Sequence, residues 1–162
     1  MSDPDKNLLR IRSCKPEDIN FLHNIDQVCF PGDIAFSRAD FLFCLNHPST
    51  IARVAEVAGR IIGFVLGRIE DEARAHVLTL DVVPCERRSK VGTILMNVLH
   101  DELKKHRIAV SVLEVSTVNL AAQRLYEKLD YKYLEILPGY YNGRLDAYRM
   151  VRSACDGGGF MS

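Results

Sequence analysis

Between residues 75 and 115 the sequence changes its hydrophobic rhythm twice, and this narrows the possible folds more than any other feature. "AHVLTLDVV" (75–83) is rich in strand formers and is stopped by Pro84. Ile94, Leu95, Val98, Leu99 and Leu103 then recur at helical spacing over residues 92–106, and "AVSVLEV" (109–115) returns to a strand. Parallel strands need a long crossover, usually a helix, so this order implies some parallel pairing.

The other segments add elements around that unit. "LLRIR" (8–12) is a short strand. Pro16 suits the first turn of a helix running to Phe30, with Ile19, Leu22, Ile25 and Cys29 facing inward. "FPGD" (30–33) breaks the chain, and Ser37 is placed to cap a second helix to about Leu45. "IARVAEV" and "IIGFVLGRI" are two strands whose link, "AGR", implies an antiparallel hairpin. "LAAQRLYEKL" (120–129) is helical, with Ala121, Leu125 and Leu129 on one stripe and Ala122 and Tyr126 beside it. "YKYLEIL" and "DAYRMV" are late strands around the turn-rich "PGYYNGRL". The expected order is β-α-α-β-β-β-α-β-α-β-β. This is an α/β chain of the α+β, mixed-sheet kind, a single domain over residues 8–151 with flexible segments at 1–7 and 152–162.

Composition excludes several classes. At 162 residues and 48% hydrophobic, the chain can bury a core without disulfides or metal. Lys+Arg and Asp+Glu are both 21, so the formal charge is zero, which argues against nucleic acid as a partner. No apolar run approaches the roughly 18–20 residues of a membrane span. "MSDPDKN" does not resemble a signal peptide. The five cysteines (Cys14, Cys29, Cys44, Cys85, Cys155) are odd in number and show no CxxC, the pattern of reduced thiols in a cytoplasmic protein. Cys85 as a nucleophile lacks a nearby histidine in the sequence.

"VVPCERRSKVGTILMNVL" (82–99) joins the first strand of the opening unit to its helix, with Arg87, Arg88 and Lys90 crowded into four positions. A helix N-terminus presents backbone N–H groups without internal partners, and its dipole adds about half a positive charge. Together with the basic side chains and Gly92, this suits a phosphate or diphosphate. No GxxxxGK(S/T) or GxGxxG pattern is present. The alternative is a solvated basic turn.

This stretch resembles the pyrophosphate-binding signature of the GCN5-related N-acetyltransferases: Gln or Arg, two residues, Gly, one residue, then Gly or Ala. Arg87 takes the first position and Gly92 the last, while Lys90 stands where the first glycine is usual. "LEVSTVNLAAQRLYEKLDY" (113–131) resembles the corresponding segment of the ribosomal-protein alanine acetyltransferases (RimI-like) and their protein N-terminal acetyltransferase relatives. Leu113, Glu114, Val115, Asn119, Ala122, Leu125, Tyr126, Leu129 and Tyr131 match, and Asp130 replaces a glycine at the helix end. The resemblance implies an acetyl-CoA-dependent enzyme, without metal or covalent intermediate, in which two central strands splay to admit the pantetheine arm.

By the same resemblance, Glu114 is the general base and Tyr126 the proton donor to the departing thiolate. The cofactor would be held by Val82, Val83, Arg87, Arg88, Ser89, Lys90, Val91, Gly92, Thr93 and Asn119. Taken alone, Glu114 is equally a strand-end residue, Tyr126 a core aromatic and Asn119 a helix cap. Tyr140 and Tyr141, with Phe30 and Pro31, would wall the acceptor site, although Asn142-Gly143 also marks an ordinary hairpin turn. An α-amine titrates near 7.7–8.0 and a lysine amine near about 10.4, which favours a protein or peptide N-terminus as acceptor. The alternatives are a small amine (polyamine, amino acid or antibiotic) and a non-catalytic acyl-CoA-binding domain.

Overall fold

Seven strands pair into one mixed sheet in the order β1-β2-β3-β4-β5-β7-β6. The computed structural model describes residues 8–87 and 89–154. Its strands are β1 (Arg10–Ser13), β2 (Thr50–Val57), β3 (Arg60–Ile69), β4 (Arg74–Val82), β5 (Val110–Ser116), β6 (Lys132–Tyr141) and β7 (Leu145–Ser153). The helices are α1 (Ile19–Cys29), α2 (Arg38–Asn46), α3 (Val91–Lys105) and α4 (Leu120–Lys128). The order matches the expected one element for element.

Two apolar cores explain why helices cover both faces. Ile19, Leu22 and Ile25 of α1 and Phe41 of α2 pack with Val54, Phe64 and Leu66 on one side. Leu95, Met96, Leu99 and Leu103 of α3 pack with Ile62, Val65, Val77 and Leu113 on the other. β3 is buried on both faces, so its sequence is a continuous apolar run rather than an alternation. Among the described residues no helix is long and apolar enough to cross a membrane.

Local rules place most boundaries. Ser37 caps α2: its Oγ accepts from Asp40 N at 3.0 Å, and Asp40 Oδ2 accepts from Ser37 N at 2.9 Å. Ala58 and Gly59, with φ of 52° and 76°, make the tight turn between β2 and β3.

The structure departs from expectation in four places. Pro16 opens a 3-10 turn over Pro16–Asp18, and α1 starts only at Ile19. The buried face of α1 also includes Asp26, while Cys29 packs against the core as expected but is half-buried. The turn between the last strands is shorter than "PGYYNGRL" suggests, because β6 continues through Tyr141. β6 is the sheet edge, where Pro138 withholds no ladder bond, and a register shift between Leu137 and Tyr141 absorbs the irregularity. Finally β7 runs to Ser153, two residues beyond the expected end of the domain. Residues 1–7 and 155–162, Cys155 among them, lie outside the described residues.

Candidate active site

The site begins where two neighbouring strands part. β4 and β5 pair in parallel at Arg74/Val110, Ala75/Ser111 and His76/Val112, and beyond those three pairs they have no mutual register. Opposite β3, Thr79 pairs with Leu66 and Val77 with Gly67, which leaves Leu78 as a bulged residue in β4. A bulge bends and twists its strand. This one falls just past the last parallel pair, where β4 must leave β5. The widening gap is the floor of a cleft of about 270 Å3.

Backbone groups face into this gap. Val83 N–H donates to Ile62 O at 2.9 Å. Antiparallel pairs alternate between bonded and non-bonded kinds, so the neighbouring Val82/Gly63 pair is non-bonded and Val82 turns its N–H and C=O toward the gap. Its carbonyl accepts from Arg87 Nε at 3.2 Å and Cys29 Sγ at 3.4 Å. Val82 therefore offers an N–H to the gap, while the N–H of Val83 is committed to the sheet.

The turn that follows carries the basic residues. Lys90 is the N-cap of α3 and has φ 67° and ψ 11°, the left-handed region that glycine adopts freely. No side chain caps this helix, and no acidic residue lies in its first turn. Ile94 N–H makes the first intrahelical bond, to Lys90 O, so the N–H groups of Val91, Gly92 and Thr93 precede the helical ladder. Ser89 is turned back, its hydroxyl donating to Glu86 O. Gly92 is helical, and a Cβ there would lie 3.3 Å from Leu125 Cδ2 and 3.7 Å from Leu80 Cδ2. Its lack of a side chain lets α3 pack closely against α4 and β4. Arg88 lies outside the described residues. An uncapped helix start beside arginine and lysine, with no acidic residue in its first turn, suits a diphosphate.

Glu114 stands two residues past the last parallel pair, on the face shared by Val110 and Val112. Its side chain is 7% exposed. His76 Nε2 lies 2.5 Å from Glu114 Oε2, and Arg149 Nη2 donates to Oε1 at 3.5 Å. The other imidazole nitrogen, His76 Nδ1, is 3.4 Å from Glu70 Oε1. A histidine thus links a cleft carboxylate to one nearer solvent.

Tyr126 is fixed by the end of its helix. Asp130 takes φ 70° just past α4, and two bonds close the cap: Tyr131 N–H to Tyr126 O at 3.0 Å and Asp130 N–H to Glu127 O at 3.1 Å. The Tyr131 ring then meets Tyr126 edge-on, with centroids 5.8 Å apart. Burial raises the Tyr126 pKa above the usual phenol value, with smaller contributions from Tyr131 and Asp81, so the hydroxyl keeps its proton. Asn119 caps the other end of α4, accepting from Ala122 N at 3.2 Å.

The acceptor side has two walls that touch each other. Phe30 and Pro31 line the cleft from the α1–α2 loop, and Tyr141 lines it from the β6–β7 hairpin. Asn142 Nδ2 donates to Asp33 O, and Arg144 lies 3.4 Å from the Asp33 carboxylate. Tyr140 is half-exposed and stands outside the cleft lining, but packs edge-on against Tyr141 at 4.9 Å. Burial and the neighbouring Tyr140 push the Tyr141 pKa up to about 12.

One cleft therefore gathers Glu114, Asn119, Tyr126, Phe30, Pro31 and Tyr141, whereas Val82, Val83 and the basic turn lie outside its lining, at and beyond the end of β4. Sequence reasoning missed His76, Arg149 and Asp26. Arg149 faces Glu114 across β5 and β7, and His76, whose own partner on β5 is Val112, reaches it diagonally. Neither register is written in local spacing.

Known proteins share the sequence pattern and the fold. A model of the acetyltransferase (GNAT) family matches residues 19–131. An N-alpha-acetyltransferase of Sulfurisphaera tokodaii is 29% identical over 154 residues, covering 88% of this chain and 91% of that protein. Among solved structures, Ard1 of Thermoplasma volcanium is similar with a TM-score of 0.85 at 29% identity, covering 91% of this chain and 99% of that one. The ribosomal-protein-S18-alanine N-acetyltransferase of Escherichia coli gives a TM-score of 0.84 at 25% identity, covering 96% and 99%. The family match spans both central strands and the helices beside them, and the chain belongs to the acetyltransferase (GNAT) family.

Proposed function

We propose that this enzyme transfers the acetyl group of acetyl-CoA to the N-terminal α-amine of a protein or peptide, by direct attack while both substrates are bound. The observation that carries this reading is the shape and charge of the acceptor side. Its walls are Phe30, Pro31 and Tyr141, and each of its two lining carboxyl groups already has a polar partner. Glu114 is held by His76 and Arg149, and Asp26 by Phe36 N. A polyamine site would hold free carboxylates for the second ammonium; a peptide site needs apolar walls and room for an extended backbone.

Acetyl-CoA supplies the activated acyl group and a thiolate leaving group. Its diphosphate fits the N–H groups of Val91, Gly92 and Thr93 with Arg87 and Lys90, and its pantetheine arm fits the gap beside Val82, Val83 and Asn119. The N–H of Val82 faces the place where a thioester carbonyl would lie. Glu114 takes the proton that the attacking amine loses, directly or through a water, and His76 passes it toward Glu70. Tyr126 Oη gives its proton to the departing sulfur. A positioned acid or base of this kind contributes about 10²–10⁴-fold. The small share of neutral α-amine already present near pH 7.4, on the order of a quarter, makes one carboxylate sufficient. Unpaired cysteines at Cys14, Cys29, Cys44 and Cys85 support the cytoplasm as the site of action.

Thiol release, measured with short peptides varied at their first two residues and with polyamines, amino acids and aminoglycosides, tests the reading. Turnover with peptides alone is expected, and the preferred first residue decides how near the enzyme stands to the ribosomal-protein alanine type. Turnover with small amines alone would overturn it. Glu114→Gln is expected to lower kcat by at least about 10²-fold while acetyl-CoA still binds. Tyr126→Phe should slow thiol release, and an unchanged rate would make Tyr126 purely structural.

A further inference from the structure

Beneath the acceptor wall, the side chains of Asp26 and Asp81 lie within hydrogen-bond reach of each other in the core. Asp26 of α1 and Asp81 of β4 are each 1% exposed. Asp26 Oδ2 accepts from Phe36 N at 2.6 Å, and Asp81 Oδ1 accepts from Thr79 Oγ1 at 2.5 Å. The remaining oxygens, Asp26 Oδ1 and Asp81 Oδ2, are buried with no partner among the described residues. Two orphaned acceptors cannot satisfy each other as bare carboxylates, but a single proton between them satisfies both.

We propose that Asp26 and Asp81 share one buried proton and so form a latch that holds α1, and the acceptor wall behind it, against β4. The inference rests in part on the acceptor site described above. Asp26 joins three parts of that site. It lines the cleft, it sits one helical turn before Phe30 and Pro31, and it holds the Phe36 end of the α1–α2 loop. Asp81 belongs to the strand that forms the cleft floor.

The surroundings favour the protonated pair. Burial and the adjacent Asp26 raise the Asp81 pKa well above the carboxylate range, against the opposing pull of Thr79 and of Arg87. The other titratable groups near Asp81 are Cys29 on α1 and Tyr126 on α4, both kept neutral by burial. Arg87 lies in the basic turn and is the single cation among these neighbours. Like charges in a closed site resist joint ionisation, so the second proton leaves late.

The linkage has a definite sign. The folded pair binds a proton that the unfolded carboxyls release near their ordinary values. Its contribution to stability is therefore present at low pH and is lost as pH rises through the raised Asp81 pKa. Loss of that proton sets two charges against each other between α1 and β4. If the latched form alone takes the acceptor, its apparent KM rises about tenfold per pH unit above that pKa.

Asp81→Asn replaces the shared proton by a permanent amide donor toward Asp26, and its amide oxygen still accepts from Thr79. Asp26→Asn does the same from the other side. Thermal unfolding of the acetyltransferase and both variants, across about pH 5 to pH 9 where buried carboxyls titrate, reads the latch without any substrate. The Tm of the wild type is expected to fall relative to Asp81→Asn as pH rises, and acceptor KM to rise in the wild type but not in the variant, with acetyl-CoA affinity unmoved. A constant Tm difference across the series overturns the shared proton. A diverging Tm with parallel KM profiles overturns the link to the acceptor wall. Absence of all acetylation bears on the proposed function and leaves the Tm result standing. Should Asp81→Asn fail to fold, Asp26→Asn carries the same comparison.

Discussion

Lys90 holds a left-handed backbone at the N-cap of α3, where the family pattern usually has glycine. A non-glycine residue in that region costs about 1–2 kcal/mol, and the ammonium group beside an anion site is a physical reason to keep it. Lys90→Gly is therefore expected to leave Tm unchanged or raised while weakening acetyl-CoA binding severalfold. Calorimetric unfolding and a cofactor titration check both halves, and a lower Tm with unchanged affinity would contradict them. Glu114, Asn119 and Tyr126 were legible in the sequence because they share one strand–helix segment, where spacing fixes their relative placement. His76 was not legible: it meets Glu114 only through a parallel register 38 residues along the chain. Asp81 was hidden within an apolar strand, where a lone acid carries no sign of its partner on α1.

At the scale of elements, α4 is held at both ends by residues that also set the site. Asn119 accepts from Ala122 N, and Asp130 adopts the positive φ that closes the other end. Asn119→Ala should remove about 1 kcal/mol of cap stability and lower Tm by about 2–4 °C. Asn119→Asp, which keeps the acceptor, should restore Tm. If the loss persists in the aspartate variant, the cap is not its cause. Element order was readable from the sequence because each segment has its own period, and Ser37 and Asn142-Gly143 announced their caps and turns. The length of β6 was not readable. Pro138 and Gly139 are usually turn residues, and only their place on an edge strand lets the ladder run past them.

For the molecule as a whole, the sheet separates two cores, and the face that carries α3 holds a buried polar chain. His100 Nε2 lies 2.8 Å from Tyr131 Oη, which lies 2.9 Å from Ser111 Oγ, while His100 Nδ1 has no partner among the described residues. Burial lowers the His100 pKa from 6.5 to about 4, helped by Arg152. The folded state thus holds this imidazole neutral. Its contribution is complete above the unfolded value of 6.5 and is lost as pH falls from there toward about 4. Denaturant midpoints should decline through that window in the wild type and decline less in His100→Gln; equal slopes would remove His100 from acid unfolding. The fold was legible at this scale because the order of elements leaves few ways to build a mixed sheet. The splay between β4 and β5 was expected only through family resemblance, since it depends on a bulge at Leu78 that no local pattern marks.

The central claim is that the cleft presents an α-amine to an acetyl thioester beside Glu114. A peptide carrying a free N-terminus and an internal lysine, incubated with enzyme and acetyl-CoA, tests it when tandem mass spectrometry locates the added acetyl group. The account predicts one acetyl on the N-terminal nitrogen, strongly diminished with Glu114→Gln. An acetyl group found solely on the lysine, or equal labelling by the variant, would contradict it.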